Sequence, residues 1–166
     1  ALRGGRITSV YWLRAQMLGE LAMLDEAAGD NGAAEAGYRE AARLMGQEYP
    51  GTTAEWTARL RLAGHLARRG QDGEAYALFR RTVHEAAATG QTSALREGLA
   101  PYFALLERRA SSDPTAVDEF FFASQTLVQL GVARSQFEFA RILTSGSDEA
   151  AGLFRASGEI SRDINR

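Results

Sequence analysis

One short pattern occurs four times along the chain: a small residue, an aromatic residue four positions later, and another small residue three positions after that. Intervals of four and three place such a trio on one face of a helix. The small residues let a neighbouring helix come close, and the aromatic ring fills the space between the two helices. The pattern therefore predicts one packing contact made four times. Its members are Ala34, Tyr38 and Ala41; Ala75, Phe79 and Thr82; Ala116, Phe120 and Ala123; and Ala150, Phe154 and Ser157.

The spacing of the four aromatic residues sets the size of the repeating unit. They follow one another at intervals of 41, 41 and 34 residues. Gly29, Gly70, Ser111 and Ser145 each stand in a turn five residues before a trio, and stretches of helical period lie on both sides of these turns. We therefore expect an all-α chain built of helix-turn-helix units, without strands.

On these residues the chain resembles the tetratricopeptide (TPR) repeat family. The second helix of that repeat carries the same small-aromatic-small pattern, and its usual period equals the last interval found here. Leu21 and Ala22, and also Leu62 and Ala63, stand where the family's first helix has a leucine and a small residue, although its early tryptophan is missing. The resemblance covers residues 7 to 164 and implies a right-handed superhelical stack of about four antiparallel hairpins, the first three with long helices.

A second resemblance concerns the C-terminal part of the chain. The stretch from "LAPYFALLERRASSDP" to "ARIL", followed by "SDEAAGLFRASGEISRDI", is similar to the repeat region before a caspase-like CHAT peptidase domain in some large bacterial proteins. This resemblance implies that the catalytic Cys and His would lie beyond Arg166. The chain begins at Ala1 and ends in what reads as an unfinished helix. We interpret it as a single domain over residues 1 to 166, cut from a longer protein.

The residue types argue against an active site within the chain. There is no cysteine, which removes disulfides, thiolate metal sites and a cysteine nucleophile, and there is no lysine. No phosphate-binding glycine loop, nucleophile elbow, or acid pair beside a histidine is present. The two histidines, His65 and His84, are isolated in sequence, and a lone helical histidine is usually structural. We therefore expect no enzymatic activity, no metal and no cofactor.

Hydropathy and charge bear on location and partners. No stretch approaches the roughly 18 consecutive apolar residues of a membrane span, and no targeting segment is visible. We therefore expect a cytoplasmic protein without a membrane partner. The formal net charge of -2 gives no overall attraction to nucleic acid. However, residues 15 to 49 carry seven acids and two arginines, whereas residues 56 to 81 carry six arginines and two acids.

The arginine-rich stretch has two interpretations. Arg61, Arg68 and Arg69 could form a patch for an anionic ligand or RNA, or the arginines could simply pair with the acidic neighbour. Binding to nucleic acid also favours aromatic residues on the same face, and none clearly accompany Arg61 and Arg68. We favour ion pairing, and keep a ligand- or RNA-binding helical domain as the alternative function.

The TPR resemblance also implies where a partner would bind. In that family the first helices of successive hairpins line a concave groove that holds a peptide. The family's carboxylate clamp uses lysine and asparagine, which are absent from the matching positions, so we do not expect recognition of a C-terminal carboxylate. Packing between helices explains the groove positions equally well, and the register could differ by one turn. By the family's register these positions are Met23, Gly64, Leu105 and Phe139, flanked by Glu26, Arg68, Arg108 and Ile142.

Three consecutive phenylalanines, residues 120 to 122, mark a second candidate surface. Phe120 belongs to the third trio, and in other units the two positions after the aromatic residue are mostly charged. Consecutive helical residues point about 100° apart, so one core cannot take all three rings. We predict Phe121 and Phe122 as an exposed interface. Together these features predict a non-catalytic protein or peptide interaction scaffold, the sensor or regulatory part of a larger protein, whose partner could also be an adjacent domain or a second copy.

Overall fold

The structure is a computed structural model that describes residues 2–90, 92 and 95–127. The chain divides into two compact units, Ala1–Leu127 and Val128–Arg166. The second unit lies outside the described residues, and so do the fourth trio, the predicted groove residue Phe139 and its neighbour Ile142.

The part of the chain that the structure describes is helical and contains no strand, which confirms the all-α prediction. Residues 114–127 are also helical, up to the last described residue, and are named α7. Two of the turns predicted from sequence contain Gly29 and Gly70, whose φ angles of 85° and 74° lie in the left-handed region that favours glycine. The other helices are α1 (Leu2–Ala27), α2 (Asn31–Glu48), α3 (Thr53–Arg68), α4 (Asp72–Thr89), α5 (Leu95–Gly98) and α6 (Ala100–Ala110).

Short polar side chains begin several of these helices. Asp30 accepts a hydrogen bond from the backbone N–H of Ala33 at the start of α2 (3.0 Å). Thr52 accepts one from Glu55 at the start of α3 (3.4 Å), and Asp113 accepts one from Thr115 at the start of α7 (3.0 Å). Each bond satisfies an N–H group that has no partner within its own helix. The helix starts are therefore encoded locally in the sequence.

Consecutive long helices pack in a hairpin-like manner. The Tyr38 hydroxyl, near the start of α2, contacts Glu26 near the end of α1, whereas Leu44 packs with Ala15 farther from that turn. The two helices are thus antiparallel. Helices α4 and α6 are also antiparallel. Phe79 of α4 stacks on Tyr102 at the start of α6, and the Arg109 guanidinium at the other end of α6 lies over Tyr76, which comes earlier in α4.

The small-aromatic-small trios lie in the core, with one exception. All six members of the first two trios are buried, and so are Ala116 and Ala123 of the third. Phe120 is 43% exposed, and its ring packs edge-on against Phe103. The prediction that Phe120 is a core residue equivalent to Tyr38 and Phe79 is therefore wrong. The inward position is occupied by the preceding residue, Glu119, whose carboxylate is held by donors inside the fold.

Candidate interaction groove

A cavity of about 720 Å³ opens between α1, α3 and the segment formed by α5 and α6. Three of the predicted groove residues, Met23, Gly64 and Arg68, line it together. The apolar part of the wall is completed by Leu60 and Pro101. Residues from α1, α3, α5 and α6 thus meet at one concave site.

Two glycines shape this cavity. A Cβ at Gly64 would lie 3.3 Å from Nη1 of Arg68 and 3.5 Å from Cγ of Pro101, so its absence keeps the space between α3 and α6 open. A Cβ at Gly98 would lie only 2.8 Å from Cδ1 of Leu60 and 2.9 Å from its Cβ. Glycine at position 98 therefore allows α5 to approach α3 closely enough to form the cavity wall.

The two predicted groove residues on α6, Leu105 and Arg108, do not line the cavity. Leu105 is completely buried in the core and does not line the cavity, so its assignment to the groove is wrong. Pro101, four residues earlier, occupies the place beside Gly64. Arg108 is half exposed and donates to Asp72 (3.1 Å) at the start of α4; it is not among the residues that line the cavity.

Glu26 is the centre of a polar cluster at the edge of the cavity. Arg68 donates two hydrogen bonds to its carboxylate, from Nε at 2.7 Å and from Nη2 at 2.8 Å, and the Tyr38 hydroxyl donates a third at 3.1 Å. The hydrogen bonds from Arg68 outweigh the opposing effect of burial and lower the pKa of Glu26 to about 2. Burial, and then the Glu26 carboxylate, raise the pKa of Tyr38 to about 12. The carboxylate is therefore ionised and fully engaged.

His65 belongs to the same cluster, which sequence reasoning missed. Its ring is completely buried beside Tyr38, with centroids 5.3 Å apart. Nδ1 lies 3.0 Å from Oε1 of Glu26 without the alignment of a hydrogen bond, and Nε2 has no hydrogen-bond partner among the residues that the structure describes. No local sequence signal connects His65 with an acid on another helix.

A second cluster of the same residue types surrounds Glu119. It accepts hydrogen bonds from Nε of Arg80 (2.8 Å) and from the Tyr102 hydroxyl (3.3 Å), and His84 Nε2 lies 3.0 Å away. Burial acts to raise the pKa of Glu119, but the contacts with Arg80 and His84 lower it below its usual range. Burial and the neighbouring carboxylate raise the pKa of Tyr102. Each of the two histidines thus lies beside an ionised glutamate.

The arginine-rich stretch is largely neutralised by neighbouring acids. Arg61 pairs with Glu20 and Arg68 with Glu26, which joins the basic stretch to the acidic one before it. Arg59 and Arg80 also lie in ion pairs. These contacts agree with the interpretation that the uneven charge serves pairing between neighbouring helices.

The two predicted interface residues differ in their surroundings. Phe121 is 65% exposed. The Phe122 ring is half buried and stacks on His84, with centroids 4.2 Å apart and planes 9° from parallel. The Phe122 ring therefore packs within its own chain, whereas the Phe121 ring is exposed.

Within the described ranges, no helix is both long and apolar enough to cross a membrane. Nor do these residues include a group of three or more His, Cys, Asp or Glu side chains placed to hold a metal ion. Comparison of the chain with protein-family models, with curated proteins and with solved structures found no match.

Proposed function

We propose that the chain is a non-catalytic interaction module of the TPR type, and that its cavity receives a peptide segment of a partner protein. The cavity carries this proposal: it is about 720 Å³ in volume, open at Gly64, and walled by Met23, Leu60 and Pro101. Concave, mostly apolar sites with a few polar groups are typical binding sites. Grooves formed by successive helical repeats commonly hold extended or helical peptides.

The contacts between helices support the repeat part of the proposal. Polar side chains in successive units meet at a nearly constant distance in sequence, between 35 and 42 residues. Such regularity is expected of a stack in which each hairpin contacts only the next. The pairs are Glu20 with Arg61, Glu26 with Arg68, Arg39 with Glu74, Asp72 with Arg108, and Arg80 with Glu119.

The charges around the cavity indicate what kind of peptide it would take. Arg61 and Arg68 are already paired with acids, so neither offers a free cation to a ligand carboxylate. Glu97, an exposed cavity residue, has no ion-pair partner within the described part of the chain. We therefore expect a peptide that places an apolar side chain beside Gly64 and a basic residue near Glu97.

Selection from a random-peptide display library would test this proposal. Gly64→Leu extends a side chain towards Arg68 and Pro101 and fills the cavity mouth. Gly73→Leu is the matched control, because a Cβ at this helical glycine would meet nothing within 4 Å. Peptides selected on the natural chain should bind Gly64→Leu at least about tenfold more weakly, the effect of losing roughly 1.4 kcal/mol.

Binding to Gly73→Leu should be unchanged, and both variants should keep the helical circular dichroism of the natural chain. Peptides that bind both variants equally would place the binding surface elsewhere. The resemblance to the region before a CHAT peptidase extends the proposal, since the module would then sense a partner or position that bacterial peptidase domain. A Cys and His peptidase domain encoded after Arg166 would be the direct observation.

The alternative, an anion- or RNA-binding domain on the arginine-rich stretch, has less support because Arg61 and Arg68 already have carboxylate partners. It predicts that binding weakens steeply with salt and that replacing both arginines with glutamine reduces that slope. A shallow salt dependence that is unchanged in the double glutamine variant would favour the groove instead.

A further inference from the structure

The outer face of α1 carries an exposed apolar stripe. The opposite face of the helix packs into the protein through Ala15, Gly19 and Ala22, which are buried. A helix that is apolar on both faces is normally covered on both. Each residue of the stripe is between 53% and 66% exposed, and none of them lines the cavity: Val10, Leu13, Met17, Leu21 and Leu24. The peptide proposed above would therefore leave the stripe uncovered.

The spacing of the stripe is symmetric about Met17. Leu13 and Leu21 stand four residues before and after it, and Val10 and Leu24 stand seven residues before and after it. Consider two antiparallel α1 helices related by a two-fold axis at Met17. A residue a given number of positions before Met17 in one chain then lies at the same height as the residue that number of positions after Met17 in the other chain. Met17 then meets its own copy, Leu13 meets Leu21, and Val10 meets Leu24. Such self-complementarity is the requirement for an interface between two identical chains.

We propose that α1 forms a homodimer interface through this stripe, with the two α1 helices antiparallel about Met17. The chemistry of the stripe fits a second copy because every apolar residue finds an apolar counterpart. The proposal does not depend on the peptide groove, since the two surfaces share no residue.

The charges beside the stripe are compatible with this arrangement. Arg14 and Glu20 lie on opposite sides of the stripe, three residues before and after Met17. In an antiparallel pair, Arg14 of one chain and Arg14 of the other lie on the same side of the interface, about 9 Å apart along the helix axis, and the two copies of Glu20 do the same on the other side. Arg14 pairs with Glu40 (3.9 Å), and Glu20 pairs with Arg61 (2.9 Å), within the same chain. Because each charge brings its counter-ion, repulsion between like charges is reduced, and the seam between the helices remains apolar.

Single-cysteine cross-linking tests the register, since the chain contains no cysteine of its own. With Met17→Cys, oxidation by copper phenanthroline in air should join the two thiols into a disulfide, oxygen taking up the two electrons and two protons. With Leu24→Cys, the two sulfurs should not join, because they lie about 21 Å apart along the axis. A mixture of Val10→Cys and Leu24→Cys chains should give the mixed dimer. Efficient cross-linking of Leu24→Cys alone, or none of Met17→Cys, would overturn the proposed arrangement.

Light scattering and sedimentation equilibrium test the dimer itself. Met17→Glu should weaken dimerisation at least about 100-fold, because one buried apolar side chain is lost from each copy. Val117→Glu is the matched control, since Val117 is 55% exposed and lies on α7, and it should leave the dimer unchanged. Circular dichroism should show both variants folded. A natural chain that is monomeric at every concentration, or a dimer that persists in Met17→Glu, would refute the proposal; a monomer whose stripe is covered by another protein counts as refutation too.

Discussion

Replacing Glu26 with Gln should reveal how much the polar cluster at the edge of the cavity stabilises the fold. The variant keeps the shape of the side chain but removes the negative charge that Arg68, Tyr38 and His65 surround. The hydrogen bonds from Arg68 are the main cause of the low pKa of Glu26, about 2 against an ordinary value of 4.5. The ionised carboxylate is thus more favourable in the folded chain than in the unfolded one.

The size of the effect follows from that pKa. One pKa unit corresponds to about 1.36 kcal/mol, so the shift sets an upper limit of about 3 kcal/mol. Solvent screens the pair, because the Arg68 side chain is half exposed, and reduces the expected loss to about 1–2 kcal/mol at pH 7. Glu107→Gln is the control: Glu107 is exposed on α6, and its change should stay within about 0.5 kcal/mol.

The pH dependence gives the sharper test. Because the folded pKa lies below the unfolded one, the unfolded chain binds the proton first as pH falls. The stabilisation is therefore complete above pH 4.5 and is lost progressively towards pH 2. About three fifths of it should remain at pH 3.5. Urea unfolding followed by circular dichroism, at pH 7 and pH 3.5, measures the difference between the natural chain and Glu26→Gln. An equal difference at both pH values, or none at pH 7, would contradict an ionic role for Glu26.

Two further predictions concern packing, and urea unfolding measures both. Gly98→Ala should destabilise the fold by about 1–3 kcal/mol, because the added Cβ would lie within 3 Å of Leu60. Gly73→Ala is the control and should not destabilise the fold, because the space around Gly73 is open. Equal effects of the two substitutions would show that α5 can move away from α3. Phe122→Ala should lower the free energy of unfolding by about 1–2 kcal/mol, because it removes the stacking on His84. Phe121→Ala should lower it by less than about 0.5 kcal/mol, because the Phe121 ring is exposed. The reverse order would contradict the described orientation of α7.

Local features of the fold were predictable from the sequence. The trios around Tyr38 and Phe79 lie in the core, and the turns at Gly29 and Gly70 separate the helices as expected. These predictions succeed because helical periodicity and turn conformation depend on residues close together in the chain. The same pattern did not predict the exposure of Phe120, since spacing alone cannot show that Glu119 turns inward to reach donors on two other helices.

The groove was predictable in part. Met23, Gly64 and Arg68, which were placed in one groove from the sequence, line the same cavity between α1 and α3. Leu105 lies in the core instead, and Pro101, one turn earlier on α6, lies beside Gly64, which the spacing in the sequence did not reveal. The stripe around Met17 could have been found from its periodicity, but only the structure shows that it faces away from the core.

The sequence by itself determined where the helices form and which small and aromatic residues can pack between them, because these properties depend on neighbours within about one helical turn. Only the tertiary structure decided which carboxylates accept hydrogen bonds from two other helices, as Glu26 and Glu119 do, and which apolar face of α1 stays exposed. Those outcomes depend on side chains 12 to 42 residues apart, whose meeting is set by the packing of whole helices and leaves no local trace in the sequence.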